Sequence, residues 1–214
     1  MNARLAAGLV LLIGAAPASA QRVSAGVQLA GAEYAEQGAS LRFAGAGGSG
    51  YLAFGWRRFG LSFAATHLAM QPSEASDVAE AFDITQTDIR FRVRATELVS
   101  VEAGFVHRDI QPLHAAQSMA ATRLGAVLNF PLAVGSDVAV RASYLGGGKF
   151  SGGGSAPFGV EVGLGANYAP WSERVRITGD LEFQRLDRRI TSGTELLQAP
   201  IQNSIARIGI QLAY

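Results

Sequence analysis

The chain of 214 residues contains no cysteine, so neither a disulfide nor a thiolate metal site contributes to its fold. After residue 20 no run of about 18 apolar residues occurs, which excludes a conventional transmembrane helix from that part. Charged residues make up 16% of the chain, whereas soluble domains usually contain about 25%. With a formal net charge of +1, the composition indicates no nucleic acid as a partner.

The N-terminus has the features of a secretory signal peptide. Residues 1–20 combine Arg4, an apolar run from 5 to 15 and the small residues Ala18-Ser19-Ala20. The apolar run is shorter than the roughly 20 residues of a membrane-spanning helix, so an N-terminal anchor is the weaker alternative. We therefore expect cleavage after Ala20, export, and one domain over residues 21–214.

Alternation of apolar and polar residues dominates residues 21–214. The segment VRITGDLEF at 175–183 is one example, and the pattern recurs at 88–94 and 158–168. A period of two indicates strands whose two faces have different surroundings. Ten segments fit: 22–34, 48–57, 59–70, 83–95, 98–110, 121–131, 136–147, 157–169, 174–187 and 204–214. We predict ten strands, with eight as the alternative because the start of the second strand is ambiguous.

The connections between these segments differ in length. Four are short, near 57–58, 95–97, 132–135 and 170–173, and most others are longer, including 35–47, 71–82 and 188–203. Short turns on one rim and long loops on the other predict an all-β, antiparallel, up-and-down transmembrane β-barrel. In that topology the short turns are periplasmic. The extracellular loops are expected near Gln37, Ser76, Ala116, Gly153 and Thr194.

Several aromatic residues lie beside the short turns or at the C-terminus, where a membrane barrel has an aromatic girdle. They are Trp56, Phe59, Phe130, Tyr168, Trp171 and Tyr214. A soluble barrel with these aromatics in its core is the alternative, but it would place its charges outside. We therefore expect the apolar strand faces to contact lipid and the polar faces to line the lumen, since only a closed sheet pairs its backbone in hydrocarbon.

Together, the signal peptide, the strand pattern and the segment SIARIGIQLAY at 204–214 resemble the small outer-membrane β-barrel proteins of Gram-negative bacteria. The resemblance spans 21–214 and implies localisation in the outer membrane, in contact with its lipid and lipopolysaccharide. In that family, a terminal aromatic with alternating apolar residues resembles the signal read by the barrel-assembly machinery, which is the implied partner during biogenesis. Here these residues are Ile208, Ile210, Leu212 and Tyr214, with Tyr where the family more often has Phe.

The face expected to line the lumen carries many charges of both signs. In a small barrel the interior is just wide enough for side chains to fill, so opposite charges there must pair. We predict a network that largely closes the lumen, made of Asp88, Arg90, Arg92, Arg94, Glu102, Arg123, Arg141, Glu161, Arg176, Asp180, Glu182 and Arg207.

Candidate catalytic residues are few. His67, His107 and Asp109 fall near the loop ends of their strands and could suggest a hydrolytic site, but by parity both histidines face outward. The glycine-rich segment at 146–159 is not a phosphate-binding loop, because Phe150 follows Lys149 where such a loop needs Ser or Thr. No cluster has metal-ligand spacing. We therefore expect no catalytic residues, no metal and no cofactor.

Three functions are compatible with this sequence. A structural or surface-interaction barrel is favoured because the lumen is expected to be plugged. A narrow porin-like channel for small solutes is the alternative, and a lipid- or peptide-processing outer-membrane enzyme comes third. The sequence does not identify an extracellular ligand.

Overall fold

The computed structural model describes residues 21–36, 41–73, 80–172, 174–192 and 195–214. The predicted signal peptide and the loop positions Gln37, Ser76 and Thr194 lie outside these residues. The strands are β1 (Gln21–Glu36), β2 (Leu41–Trp56), β3 (Phe59–Pro72), β4 (Phe82–Arg94), β5 (Val99–Gln111), β6 (Met119–Ala133), β7 (Ser136–Phe150), β8 (Ser155–Ala156), β9 (Gly159–Ser172), β10 (Val175–Ser192) and β11 (Glu195–Ala213), and one 3-10 turn covers Ala115–Gln117. Within the described part of the chain, no helix has the length and hydrophobicity needed to cross a bilayer.

Ten of these strands form a closed antiparallel barrel. Each pairs with its neighbour in sequence, and β1 pairs with β11 from Ser24 opposite Ala213 to Glu36 opposite Ile201. The sheet therefore has no free edge along these strands, as backbone pairing in hydrocarbon requires. The prediction of ten strands is confirmed, and the alternative of eight is wrong.

The short strand β8 lies outside the ring of ten. Ser155 pairs with Lys149 of β7 and with Arg189 of β10. Strand β9, which separates β7 from β10 elsewhere, begins only at Gly159. β8 therefore continues the line of β9 and fills the gap between two longer neighbours.

Two segments predicted as long loops are mostly strand. Strand β2 begins at Leu41, seven residues before the predicted start, and β10 and β11 pair as far as Ser192 opposite Glu195. The predictions of loops over 35–47 and 188–203 were therefore wrong in most of their length. The predicted short turns are confirmed, including a two-residue turn at Val134–Gly135, where Gly135 has φ +76°.

The reason for this error is a change of polarity along each strand. On β10, the outward residues change from Phe183 to Arg185, while the inward residues change from Glu182 to Leu186. Strands β3 and β4 show the same change at a similar height. We call the part of the barrel near the short turns the turn end and the part near the loops the loop end. The turn end is apolar on its outer surface, whereas the loop end is apolar in its interior. The strands therefore continue beyond the part whose outer surface is apolar, and at the loop end they have the polarity of a soluble barrel.

The lipid-facing band lies toward the turn end and consists of large, outward, exposed apolar side chains. They include Val27, Leu29, Phe54, Phe63, Phe105, Leu124, Val162, Leu181 and Ile208. The six aromatics predicted beside the turns and at the C-terminus are all exposed. At the other limit of the band, the rings of Tyr144 and Phe158 lie 5.8 Å apart. The two aromatic groups bracket the band as an aromatic girdle does.

We expect opposite labelling of the two ends on intact cells. A cysteine replacing the exposed Ala116, in the β5–β6 connection, should react with a membrane-impermeant thiol reagent, whereas one replacing Ala95, in the β4–β5 turn, should react only after the outer membrane is permeabilised. Ala116 serves better than Gly153, whose φ of +83° a cysteine would strain. Labelling of Ala95→Cys on intact cells would invert the topology.

Insertion should depend on which face of β11 is changed. Ile210 is outward and exposed, and its neighbour Gln211 lines the lumen. A charge on the lipid face costs roughly 2–4 kcal/mol at the midplane for basic residues and less for acidic ones. Ile210→Asp together with Leu212→Asp should therefore reduce the barrel recovered in the membrane fraction, whereas Gln211→Asp should not. Equal recovery of both variants would contradict the lipid-facing assignment.

Candidate functional site

From the loop end to the turn end, the lumen contains an apolar layer, a glutamine layer, a charged layer and a cavity. The apolar layer is built around Tyr34, Phe43 and Phe82, whose rings pack with centroids 4.7 to 6.4 Å apart. Leu68 and Ile84 pack in the same cluster and are fully buried. Because the chain has left the hydrocarbon at this height, the interior takes up apolar side chains as a soluble core does.

The connection between β5 and β6 covers the apolar layer. The ring of His114 packs against Phe43 and Phe82, and the buried Gln117 accepts a hydrogen bond from the Tyr34 hydroxyl. Arg188 lies over the ring of Phe150 and donates to the backbone carbonyl of Ala116 at 3.2 Å, which ties the connection to β10.

The glutamine layer consists of Gln86, Arg108 and Gln184. Arg108 is almost completely buried and donates to the side-chain oxygens of Gln86, at 2.9 Å, and Gln184. The side-chain nitrogens of the two glutamines point the other way and donate to carboxylates of the next layer, Gln86 to Asp88 and both glutamines to Glu182. Since an amide presents an acceptor at one atom and donors at the other, these glutamines connect a buried cation to carboxylates it does not touch.

The charged layer comprises Asp88, Arg90, Arg92, Glu102, Arg123, Arg141, Glu161, Asp180, Glu182 and Arg207. Its centre is Arg90, which has four carboxylates within reach: Glu182 at 2.9 Å, Glu102 and Glu161 at 3.3 Å, and Asp88 at 3.5 Å. Arg123, on β6, pairs with Asp88 at 2.8 Å and with Glu161. These contacts join strands that are far apart in the chain.

The other half of the charged layer is formed by β7, β10 and β11. Asp180 accepts from Arg141 at 2.7 Å and from Arg207 at 3.0 Å, and Arg207 also lies 3.5 Å from Glu182. A Cβ atom at Gly163 would sit 2.6 Å from the Nη2 of Arg141, so the missing side chain there makes room for this guanidinium. The inward glycine on β9 thus determines where Arg141 can lie.

The charged layer contains five arginines and five carboxylates. Glu102, Glu161 and Glu182 are buried, and removing such groups from water is costly unless each is paired. Each of these three carboxylates has a guanidinium within 3.3 Å, whereas Nε and Nη1 of Arg123 have no hydrogen-bond partner among the described residues. The layer therefore constrains the barrel interior more than it adds net stability, because well-packed apolar side chains could fill the same space at no desolvation cost.

Three of the predicted lumen arginines lie outside the buried centre. Arg92 pairs with Glu102 at 3.0 Å, but 37% of its side chain is exposed. Arg176 is 3.7 Å from Asp137, nearer the turn end. Arg94 is exposed at the turn-end mouth and makes no ion pair with a described residue, so its placement in the network was wrong. It lies at the end of β4 and makes no ion pair with the carboxylates of the charged layer.

A cavity occupies the lumen on the turn side of the charged layer. Its inner part, the inner cavity, has a volume of about 350 Å³ and is lined by Gln28, Tyr51, Thr178 and Gln211 as well as by the charged layer. An outer part of about 830 Å³, the vestibule, is lined by the turn-end residues. The two share Arg92, Asn129 and Asp137, so they form one funnel that ends at the charged layer.

The histidines are not assembled into a site. His67 and His107 are exposed on the outer wall, as predicted, and Nδ1 of His67 lies 3.2 Å from the hydroxyl of Thr85. Asp109 accepts from Gln111 and Ser118. Across the described ranges, no three His, Cys, Asp or Glu residues are grouped as metal ligands would be.

The sequence interpretation missed the glutamine layer and the apolar layer. Gln86, Arg108 and Gln184 have the same parity as the predicted charges on their strands, so parity alone could have included them. The apolar layer was missed because the apolar residues of the strands were expected to contact lipid, whereas the phase of Asp88 and Arg90 turns Phe82 and Ile84 inward.

Removing one charge from the centre should destabilise the barrel far more than removing one from the mouth. Glu182→Gln removes a negative charge that Arg90, Arg141 and Arg207 share, so one positive charge of the buried layer is left uncompensated. The change should lower the free energy of unfolding by about 3–5 kcal/mol. The matched change Asp137→Asn affects a half-exposed pair and should cost about 1 kcal/mol or less. Urea unfolding in lipid vesicles measures both, and equal losses would contradict the central role of the buried layer.

No protein-family model and no curated protein sequence matches this chain. Solved structures do match. The outer membrane protease OmpT from Escherichia coli superposes with a TM-score of 0.50 at 8% identity, over 92% of this chain and 97% of that one. An outer membrane channel from Pseudomonas putida F1 gives 0.50 at 10% identity, over 94% and 97%. At such identities the likeness concerns the fold alone, and the fold of this chain is the closed antiparallel β-barrel that these outer-membrane proteins have.

Proposed function

We propose that this protein is a non-conducting, non-enzymatic barrel of the outer membrane with a structural or surface-interaction role. The observation that carries the proposal is the burial of the lumen-facing side chains. Leu68, Ile84, Gln86 and Arg108 are at most 1% exposed, although all four point into the barrel. A continuous water path along the axis would leave inward side chains exposed, so their burial supports a closed lumen.

Two closures in series support this reading. The apolar layer and the connection above it close the loop end, and the charged layer closes the middle of the lumen. Opening one layer alone leaves the other in the path. Replacing arginines of the charged layer is therefore not enough to create a channel, because the apolar layer above it remains.

A surface role is supported by the strands that continue beyond the lipid-facing band. Their outward residues there are polar or small, including Arg185, Asp187 and Lys149, and their inward residues form an apolar core. Such a wall holds the loops away from the membrane on a rigid base. Lipopolysaccharide and outer-membrane lipid are the proposed surroundings of the barrel. The barrel-assembly machinery is the proposed partner during insertion, acting on the segment with Ile208, Ile210, Leu212 and Tyr214.

A narrow channel is the second candidate, and the funnel at the turn end favours it over an enzyme. The funnel already opens the turn side of the lumen, so only the layers above it would have to move. Residues for an enzyme are scarce, since the histidines on the barrel wall face outward, away from the lumen.

Conductance measurements in planar bilayers should distinguish a closed lumen from an open one. The unmodified protein should give no steady conductance, and neither should Phe43→Ala with Phe82→Ala, or Arg92→Ala with Arg141→Ala. Combining all four changes removes parts of both layers and should give measurable current. Circular dichroism verifies that each variant is still a folded barrel. A large, stable current from the unmodified protein would refute the closed lumen and favour the channel.

A further inference from the structure

The vestibule has an excess of positive charge that the rest of the barrel does not neutralise. Five arginines line it, Arg22, Arg57, Arg58, Arg92 and Arg94, against the two carboxylates of Glu97 and Asp137. Arg92 is already paired with Glu102, and Asp137 lies next to Arg176 and accepts from Asn167. Four guanidinium groups and one carboxylate therefore remain at the mouth without an ion pair to a described residue.

The positions of these arginines come from the barrel itself. Arg22 and Arg94 have the inward parity of β1 and β4, at the last inward positions of their strands. Arg57 and Arg58 form the β2–β3 turn, but the guanidinium of Arg57 lies 5.4 Å from the ring centroid of Trp56, on the outer wall. Arginine donors that converge on a concave site with low-dielectric walls concentrate anions there.

The inner cavity has a different chemistry. Its charges balance, because Arg90, Arg92, Arg141 and Arg207 face Asp88, Asp137, Asp180 and Glu182. Between them lie neutral hydrogen-bonding groups and one aromatic ring, contributed by Gln28, Ser49, Tyr51, Ser62, Asn129, Asn167, Thr178 and Gln211. Amides and hydroxyls can both donate and accept, which suits a ligand rich in hydroxyl groups.

We propose that the funnel binds a small periplasmic solute with one anionic end and a polyhydroxylated body, of the sugar-phosphate class. The anionic group would contact Arg22, Arg58 and Arg94 in the vestibule, and the hydroxylated body would extend into the inner cavity. At ~30 Å³ per water, the inner cavity of about 350 Å³ has room for roughly a dozen waters, which is enough for one hexose. Because the charged layer ends the funnel, this is a binding site and not a passage, and it is independent of the surface role proposed above.

Calorimetry on the full barrel in a neutral detergent tests the site with three probes. Glucose 6-phosphate should bind more tightly than inorganic phosphate, and phosphate more tightly than glucose, with affinities that fall as salt is raised. Equal affinity for glucose 6-phosphate and phosphate would overturn the role of the inner cavity. Absence of binding by either phosphate probe at low salt would overturn the site.

Substitutions test the vestibule and the inner cavity separately. Arg94→Gln and Arg22→Gln should each weaken both phosphate probes about tenfold, the usual effect of losing one charge-assisted hydrogen bond. Gln211→Ala should reduce the preference for glucose 6-phosphate over phosphate. The control is Arg174→Gln, an exposed arginine at the same end that does not line the vestibule, and it should change nothing. An equal loss in the control would show a general charge effect and overturn the assignment.

The same chemistry is present in anionic lipid headgroups, so the membrane composition provides the final comparison. The barrel is placed in lipid discs of phosphatidylcholine or of phosphatidylglycerol, whose headgroup carries a phosphate and hydroxyls. Equal affinity for glucose 6-phosphate in both discs supports a soluble solute. Weaker binding in phosphatidylglycerol would show that a lipid headgroup competes for the vestibule, and would overturn the soluble ligand in favour of lipid.

Discussion

The structure depends on one constraint, which is that every backbone amide and carbonyl in hydrocarbon must be paired within the protein. The pairing of β1 with β11 satisfies it by leaving no free edge along the ring. Once the ring is closed, side chains can only point toward lipid or into the lumen. Apolar groups cover the outside of the lipid-facing band, and polar groups are confined to a narrow interior. There they must pair with one another, which accounts for the contacts of Arg90 with four carboxylates.

The same strands follow a second set of rules beyond the lipid-facing band. There water surrounds the wall, so Arg185 and Asp187 are outside and Leu186 is inside. The barrel is thus a membrane protein at the turn end and resembles a soluble protein at the loop end. The glutamine layer lies between the turn end and the loop end, and its amides connect the buried Arg108 to the carboxylates of the charged layer. Inward side chains that are buried from the middle of the lumen to its loop end, with a funnel below them, are the common result.

Much of this could be predicted from alternation and turn spacing. The number of strands, their order and the inward parity of Arg90, Glu102 and Glu182 follow from a period of two. Alternation does not say at which height lipid ends, and the loops over 35–47 and 188–203 were wrong for that reason. Nor does it give pairing across the lumen, because that depends on strand stagger. Arg94 has the right parity but lies at the turn-end mouth, away from the carboxylates of the charged layer.

The charged layer is divided unequally along the chain. Strands β4 to β7 contribute four arginines and two carboxylates, and β9 to β11 contribute three carboxylates and one arginine. A sheet consisting of the first seven strands would therefore hold an excess of two positive charges, and the last three strands an excess of two negative ones. For this layer, each part alone would bury unbalanced charge, and only the joined ring balances it. Closing the sheet and neutralising the charged layer are consequently a single event, which disfavours a partly assembled barrel as a stable species.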